Sequence, residues 1–201
     1  LEDLNRAIEL NRKDGLAFAQ RSAAHLELGE LDAALADANK AVKLEPEFAA
    51  SHAHRGNVRL ARGELDQALR DLDEALRLDP QNPEVHDHRG RALRERSEFA
   101  KALKEFEVAI RLDPSRGTPY RNRSEVWFDQ ARYDRALADL NEAVQREPGS
   151  TRSLNARGAV YAKLGKPEQA LADFNAALNL DPRFALAYQN RSGVWLLLGK
   201  Y

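Results

Sequence analysis

The sequence predicts an all-α solenoid, a run of antiparallel helix pairs stacked on one another, and three observations predict it. An arginine recurs every 34 residues without an insertion, at Arg21, Arg55, Arg89, Arg123, Arg157 and Arg191. Proline keeps the same step at Pro46, Pro80, Pro114, Pro148 and Pro182. Between these markers apolar residues return at three- and four-residue intervals, the spacing of one helix face. A unit of two short helices cannot bury that face alone, so neighbouring units must stack and share a core.

With position 1 of the repeat set at Gly15, full repeats span 15–48, 49–82, 83–116, 117–150 and 151–184, flanked by partial units at 1–14 and 185–201. One architecture is therefore expected to run through residues 1–201. A first helix fills positions 1 to 14 and a second about 18 to 31, the second being clearest in ALADLNEAV at 136–144. The turn between them carries Gly29, Gly63, Gly165 and Gly199, suited to the left-handed backbone that ends a helix. Ser97 and Ala131 replace that glycine in two repeats, so those turns are expected to differ. Each repeat closes on proline, which cannot continue a helix and pulls its predecessor out of helical geometry.

Small residues mark the places where two helices must approach. Position 20 holds Ala34, Ala68, Ala102, Ala136 and Ala170, and position 27 holds Ala41, Ala75, Ala109, Ala143 and Ala177. Position 8 holds Ser22, Gly56, Gly90, Ser124, Gly158 and Ser192. Leu72, Phe106, Leu140 and Phe174 at position 24 are the expected space-fillers.

Composition narrows the function. The 31 basic and 32 acidic residues balance, which argues against a nucleic-acid or membrane-surface footprint. With no cysteine, thiol chemistry and cysteine-ligated metals are excluded, and no cofactor motif is present. No stretch has the apolar length of a membrane span. No signal-peptide pattern assigns a compartment, which stays open with the cytoplasm favoured.

Period, glycine turn, alanine columns, aromatic or leucine filler and terminal proline together resemble a tetratricopeptide repeat (TPR) array, along all 201 residues. The resemblance implies a right-handed superhelix whose first helices line a concave groove, and a non-catalytic scaffold for protein partners. Position 7 departs from the family pattern: it is usually apolar there and always arginine here. Sixteen residues after each of Arg21, Arg55, Arg89, Arg123 and Arg157 stands an acid on the second helix: Asp37, Asp71, Glu105, Asp139 and Asp173. Guanidinium and carboxylate match as a two-pronged pair, so these columns are expected to form structural ion pairs. Asp3, 18 residues before Arg21, offers a cross-repeat alternative.

The stretch HDHRG at 86–90 looks like a metal site, but residues two apart on a helix point about 200° from each other, so His86 and His88 cannot grip one ion. No metal is expected. His52 and His86, at position 4, are expected to pack between helices. Position 6 runs Gln20, His54, His88, Asn122, Ala156, Asn190 and should face the groove, where amides and imidazoles can match the peptide groups of an extended ligand. This resembles the asparagine ladder of O-GlcNAc transferase repeat domains. Arg91, Arg121, Asn122 and Arg152 occupy positions used by the carboxylate clamp of family members that bind chaperone C-termini. Asp87, Arg91 and Ala156 break that pattern. A basic, amide-rich face remains that suits an acidic or C-terminal peptide, the alternative being pairing of Arg121 or Arg152 with Asp87, Glu84 or Glu125.

The expected function is a protein-binding scaffold. The alternatives are a regulatory or substrate-recruiting arm of a larger enzyme and a self-associating module. For the last, the apolar VWLLLG of 194–199 and Leu1, Leu4, Ala7, Ile8 and Leu10 are expected to allow weak head-to-tail contact between residues 185–201 of one copy and 1–11 of the next.

Overall fold

The computed structural model describes residues 1–199, and every regular element among them is an α-helix. They fall into two compact units, Leu1–Leu112 and Asp113–Tyr201. Lys200 and Tyr201, the last residues of the expected 185–201 element, lie outside the described part. No described helix is long and apolar enough to cross a membrane.

The first unit contains α1 (Glu2–Leu10), α2 (Gly15–Glu27), α3 (Leu31–Leu44), α4 (Ala49–Ala61), α5 (Leu65–Leu78), α6 (Pro83–Glu95) and α7 (Phe99–Leu112). Its pairs are α2 with α3, α4 with α5 and α6 with α7, and the first helices α2, α4 and α6 also touch in succession. The second unit contains α8 (Thr118–Asp129), α9 (Tyr133–Arg146), α10 (Thr151–Lys163), α11 (Pro167–Leu180) and α12 (Ala185–Leu197). Here α8 pairs with α9 and α10 with α11, and α10 touches both α8 and α12.

The helix starts are fixed locally. Asp14 caps α2 by accepting from the Ala17 amide, Asn82 caps α6 through the amides of Glu84 and Val85, and Ser150 caps α10 through that of Ser153. At α8 the cap comes from elsewhere: the Glu147 carboxylate accepts from the amides of Gly117 and Thr118, at 2.8 and 3.3 Å.

Both alanine columns are wholly buried in every full repeat. In three repeats a glycine at position 8 is sized to the filler at position 24. A Cβ on Gly90 would lie 2.6 Å from the Phe106 ring, one on Gly158 2.6 Å from the Phe174 ring, and one on Gly56 2.8 Å from Leu72. Where the first repeat has only Ala38 at position 24, Ser22 fits at position 8, and its hydroxyl donates to the Ala34 carbonyl at 2.8 Å.

Three expectations need correction. The Ser97 and Ala131 turns do not differ: both residues adopt positive φ, 61° and 56°, beside the glycines at 66° to 76°. The same bond closes them as closes the glycine turns, for example Glu30 N to His25 O at 2.9 Å, Glu98 N to Leu93 O at 2.8 Å and Arg132 N to Trp127 O at 2.8 Å. Ser192, placed in the packing column, is exposed. The apolar face of α1 is already used, because Ile8 is buried with Ala17, Phe18 and Ala41, and Ala7 packs on that cluster. Only Leu1 and Leu10 of the α1 apolar set are exposed.

Candidate functional site

Arginine at position 7 ties each helix pair together. Arg21, Arg55, Arg123 and Arg157 each donate Nε and Nη2 to the two oxygens of Asp37, Asp71, Asp139 and Asp173, at 2.6 to 2.9 Å. The aspartates are buried and the arginines half-buried. Bonding to Asp37 and Asp173 raises the pKa of Arg21 and Arg157, so both stay charged.

The third prong of the guanidinium reaches across repeats to the residue 16 positions earlier. Arg21 donates to Asn5, Arg55 to Asn39, Arg157 to Asn141 and Arg191 to Asn175. The cross-repeat partner of Arg21 is thus Asn5, not Asp3.

The acid also takes a second donor that the sequence reading missed, from position 11 of the first helix. Arg59 Nη1 donates to Asp71 at 2.7 Å, Trp127 Nε1 donates to Asp139 at 3.1 Å, and His25 Nε2 lies 3.8 Å from Asp37. The third full repeat has Leu93 there, which cannot donate. Its acid is the longer Glu105, which accepts from Arg89 at 2.5 Å and also meets His86 Nδ1 at 2.7 Å. Burial opposes charge on His86, but the Glu105 bond, the Pro80 carbonyl and the charge of Glu105 outweigh it and raise its pKa. Arg89 Nε turns to Asp73 instead, at 2.8 Å.

The other face of the first helices differs between the units. In the first unit, α2, α4 and α6 line an open hollow of about 180 Å³. His54 and His88 both line it, with Glu27, Asn57 and Glu84 beside them. Burial lowers the pKa of His54, partly offset by the charge of Glu84, so its ring is neutral near pH 7 and offers one donor and one acceptor. Gln20 is exposed on α2 and does not line the hollow. Arg91 is half-buried on α6, where Asp87 is buried.

In the second unit the face is built of amides and guanidinium groups. Arg121 Nη2 donates to the Asn122 carbonyl oxygen at 3.0 Å, and Asn122 is buried. Arg152 is exposed on α10. Asn190 does not stand alone in a ladder: its amide donates to Asn155 at 3.0 Å, and Asn155 at position 5 is buried. The sequence reading missed Asn155, although an asparagine one residue from the expected ladder was the available signal. No cluster of three or more His, Asp or Glu among the described residues is arranged to hold a metal.

Helix pairs at a 34-residue period, joined by left-handed turns and packed through two alanine columns, define a tetratricopeptide-repeat protein. Models of the TPR repeat match residues 17–48 and 56–93. The chain belongs to the TPR proteins and, through residues 86–193, more than half its length, to the family described as the ETO1 C-terminal domain.

Solved structures agree on the fold. TTC0263, a thermophilic TPR protein of Thermus thermophilus, is similar with a TM-score of 0.82 and 21% identity over 90% of this chain and 99% of its own. Yeast Tom70 is similar at 0.77 and 19% identity, over 97% of this chain and 42% of its own. YrrB, described as a TPR protein with an unusual peptide-binding site, gives 0.60 and 23% identity over 94% of this chain and 97% of its own. No curated protein matches the chain significantly.

Proposed function

We propose that this chain is a non-catalytic interaction scaffold that holds a partner's peptide segment against its first helices. The observation that carries this reading is the hollow lined by three successive first helices, α2, α4 and α6, with donors, acceptors and apolar wall together. The unusual peptide-binding site ascribed to YrrB is in keeping with it.

In the second unit, Arg121, Asn122 and Arg152 suit an acidic or C-terminal peptide, because a guanidinium matches a carboxylate in two-pronged geometry. Arg91, on α6 of the first unit, is a separate cation of the same kind. A recruiting arm of a larger enzyme would use these faces in the same way. Titration with a C-terminal acidic peptide should weaken about two- to fivefold in Arg152→Ala at low salt, the range of an exposed ion pair. Unchanged affinity would remove the acidic-peptide reading.

Weak self-association is a second reading, favoured by the exposed Leu196, Leu197 and Leu198 near the end of α12. With Ile8 buried, Leu1 and Leu10 are the exposed apolar side chains that residues 1–11 offer in return. Light scattering that rises with concentration, and falls in Leu197→Glu, would support it.

A further inference from the structure

We propose that the open face of α12 docks α1 of a second copy, with Arg191 gripping Asp3 across the contact, an inference that rests on the self-association reading above and gives it a register. The starting observation is a pair of segments that occurs twice. YRNRSEVWF at 120–128, in α8, matches YQNRSGVWL at 188–196, in α12, at six of nine positions. LADLNEAV at 137–144, in α9, matches LEDLNRAI at 1–8, which runs into α1, at five of eight. Since α8 and α9 pack together as one helix pair, their contact is a template for the one that α12 and α1 can make.

In the template the centre of the contact is polar. Arg123 donates Nε and Nη2 to the two oxygens of Asp139 at 2.9 and 2.7 Å, Trp127 Nε1 donates to the same carboxylate at 3.1 Å, and Ser124 and Leu140 are buried. The counterparts are Arg191, Ser192 and Trp195 on α12, and Asp3 and Leu4 on α1. Burial is what these counterparts lack: Ser192 and Asp3 are exposed and Leu4 is half-buried. Phe128 and Leu137 join the apolar cluster around Leu140, whereas their matches Leu196 and Leu1 are exposed.

The hydrogen bonds already made leave the right prongs open. Arg191 spends Nη1 on Asn175, just as Arg157 spends Nη1 on Asn141. Its Nε and Nη2, the prongs that hold an aspartate in four repeats, have no partner among the described residues, and neither has the Asp3 carboxylate. Asn5 accepts from Arg21 of its own copy, as Asn141 accepts from Arg157, so docking costs α1 none of its bonds. A guanidinium with two open donors and a carboxylate with two open acceptors match as a fork, which fixes how the helices slide past one another. The contact joins unlike faces, so it runs head-to-tail and extends to further copies.

The test is light scattering of the full chain up to millimolar concentration at low salt, comparing Asp3→Arg with Glu2→Arg. Both change the net charge equally at exposed positions of α1, but Glu2 matches Ala138, which stays exposed in the template. Wild type and Glu2→Arg should associate alike, and Asp3→Arg should weaken association about tenfold or more, because it turns a charged pair into a repulsion. Leu196→Asp, on the opposing face, should weaken it as well. If Asp3→Arg associates like the wild type, the register is wrong, and sensitivity to Leu197→Glu would then leave the self-association reading standing. If Asp3→Arg and Glu2→Arg weaken it equally, only net charge is felt and the register falls too. If the wild type stays monomeric at millimolar concentration, both readings fall.

Discussion

The two units share an interior and differ on the groove face. Position 7 arginine, its acid and both alanine columns occur in each. The first unit's groove, however, joins two carboxylates and two imidazoles around a hollow, whereas the second presents Arg121, Arg152 and paired amides. The difference teaches that the repeat separates its tasks by position. Positions 7, 8, 20, 24 and 27 hold helices together and are constrained, while 2, 5, 6 and 9 vary from repeat to repeat and set the charge of the first-helix face. One fold can therefore carry two differently charged faces without a change in its core.

The largest test concerns whether the interior is truly common. Asp71 accepts from Arg55 twice and from Arg59, so Asp71→Ala strands two half-buried guanidinium groups and should cost about 3 to 4 kcal/mol in chemical denaturation. Asp139→Ala removes both bonds to the Arg123 guanidinium and one to an indole N–H, and should cost about 1 kcal/mol less. Equal costs would show that a guanidinium at position 11 contributes no more than an indole N–H.

Next comes the packing of position 8 on position 24. The Gly90–Phe106 and Gly158–Phe174 pairs have the same clearance, one in each unit. Gly90→Ala and Gly158→Ala should each destabilise by about 2 kcal/mol, since the phenylalanine ring must leave its seat. A gap of more than about 1 kcal/mol between them would break the claim of a shared interior.

How much of this was legible in the sequence follows from the kind of signal each feature leaves. Helix pairs, alanine columns and the offset of 16 between Arg55 and Asp71 are readable because they repeat, and repetition at fixed register implies contact. The second donor was hidden because position 11 varies, as His25, Arg59, Leu93, Trp127 and Tyr161, and only the tips of some reach the acid. The bond between Asn155 and Asn190 was hidden for another reason. It joins positions 5 and 6 of adjacent first helices, a distance set by how closely α10 and α12 approach. The hollow beside His54 has no sequence signature at all, being the space left by Ala23, Ala50 and Ala53 on its wall.

A smaller effect sharpens the comparison by pH. His54 on α4 and His86 on α6, both with shifted pKa, lie in the first unit, so between pH 5 and 8 their titration should move amides of α4 and α6 and leave α10 and α11 unmoved. Within the first unit, two histidines should act in opposite directions. The raised pKa of His86 gives stability that is complete below about pH 6.5 and is lost as pH rises through its folded value. The lowered pKa of His54 gives stability that is complete above about pH 6.5 and is lost as pH falls through its folded value. The melting advantage of the wild type over His86→Asn should therefore grow toward acid, and that over His54→Asn should shrink.

The smallest expected effect lies in the turns, where the units are again matched. Ser97 in the first and Ala131 in the second hold positive φ with a side chain that resists it. Left-handed backbone costs a non-glycine residue about 1 to 2 kcal/mol. Glycine removes that cost but adds roughly 0.5 to 1 kcal/mol of chain entropy to the unfolded state. Ser97→Gly and Ala131→Gly should therefore each stabilise by about 0.5 kcal/mol, a rise of roughly 1 to 2 °C in melting temperature for a chain of this size. The reverse change supplies the control. Gly63 has φ +74° and open space within 4 Å of where a Cβ would sit, so Gly63→Ala meets the backbone cost alone and should destabilise by a similar amount. If Ala131→Gly lowers the melting temperature while Gly63→Ala also lowers it, the Ala131 side chain contributes packing that outweighs its strained backbone, and the two turns are not equivalent after all.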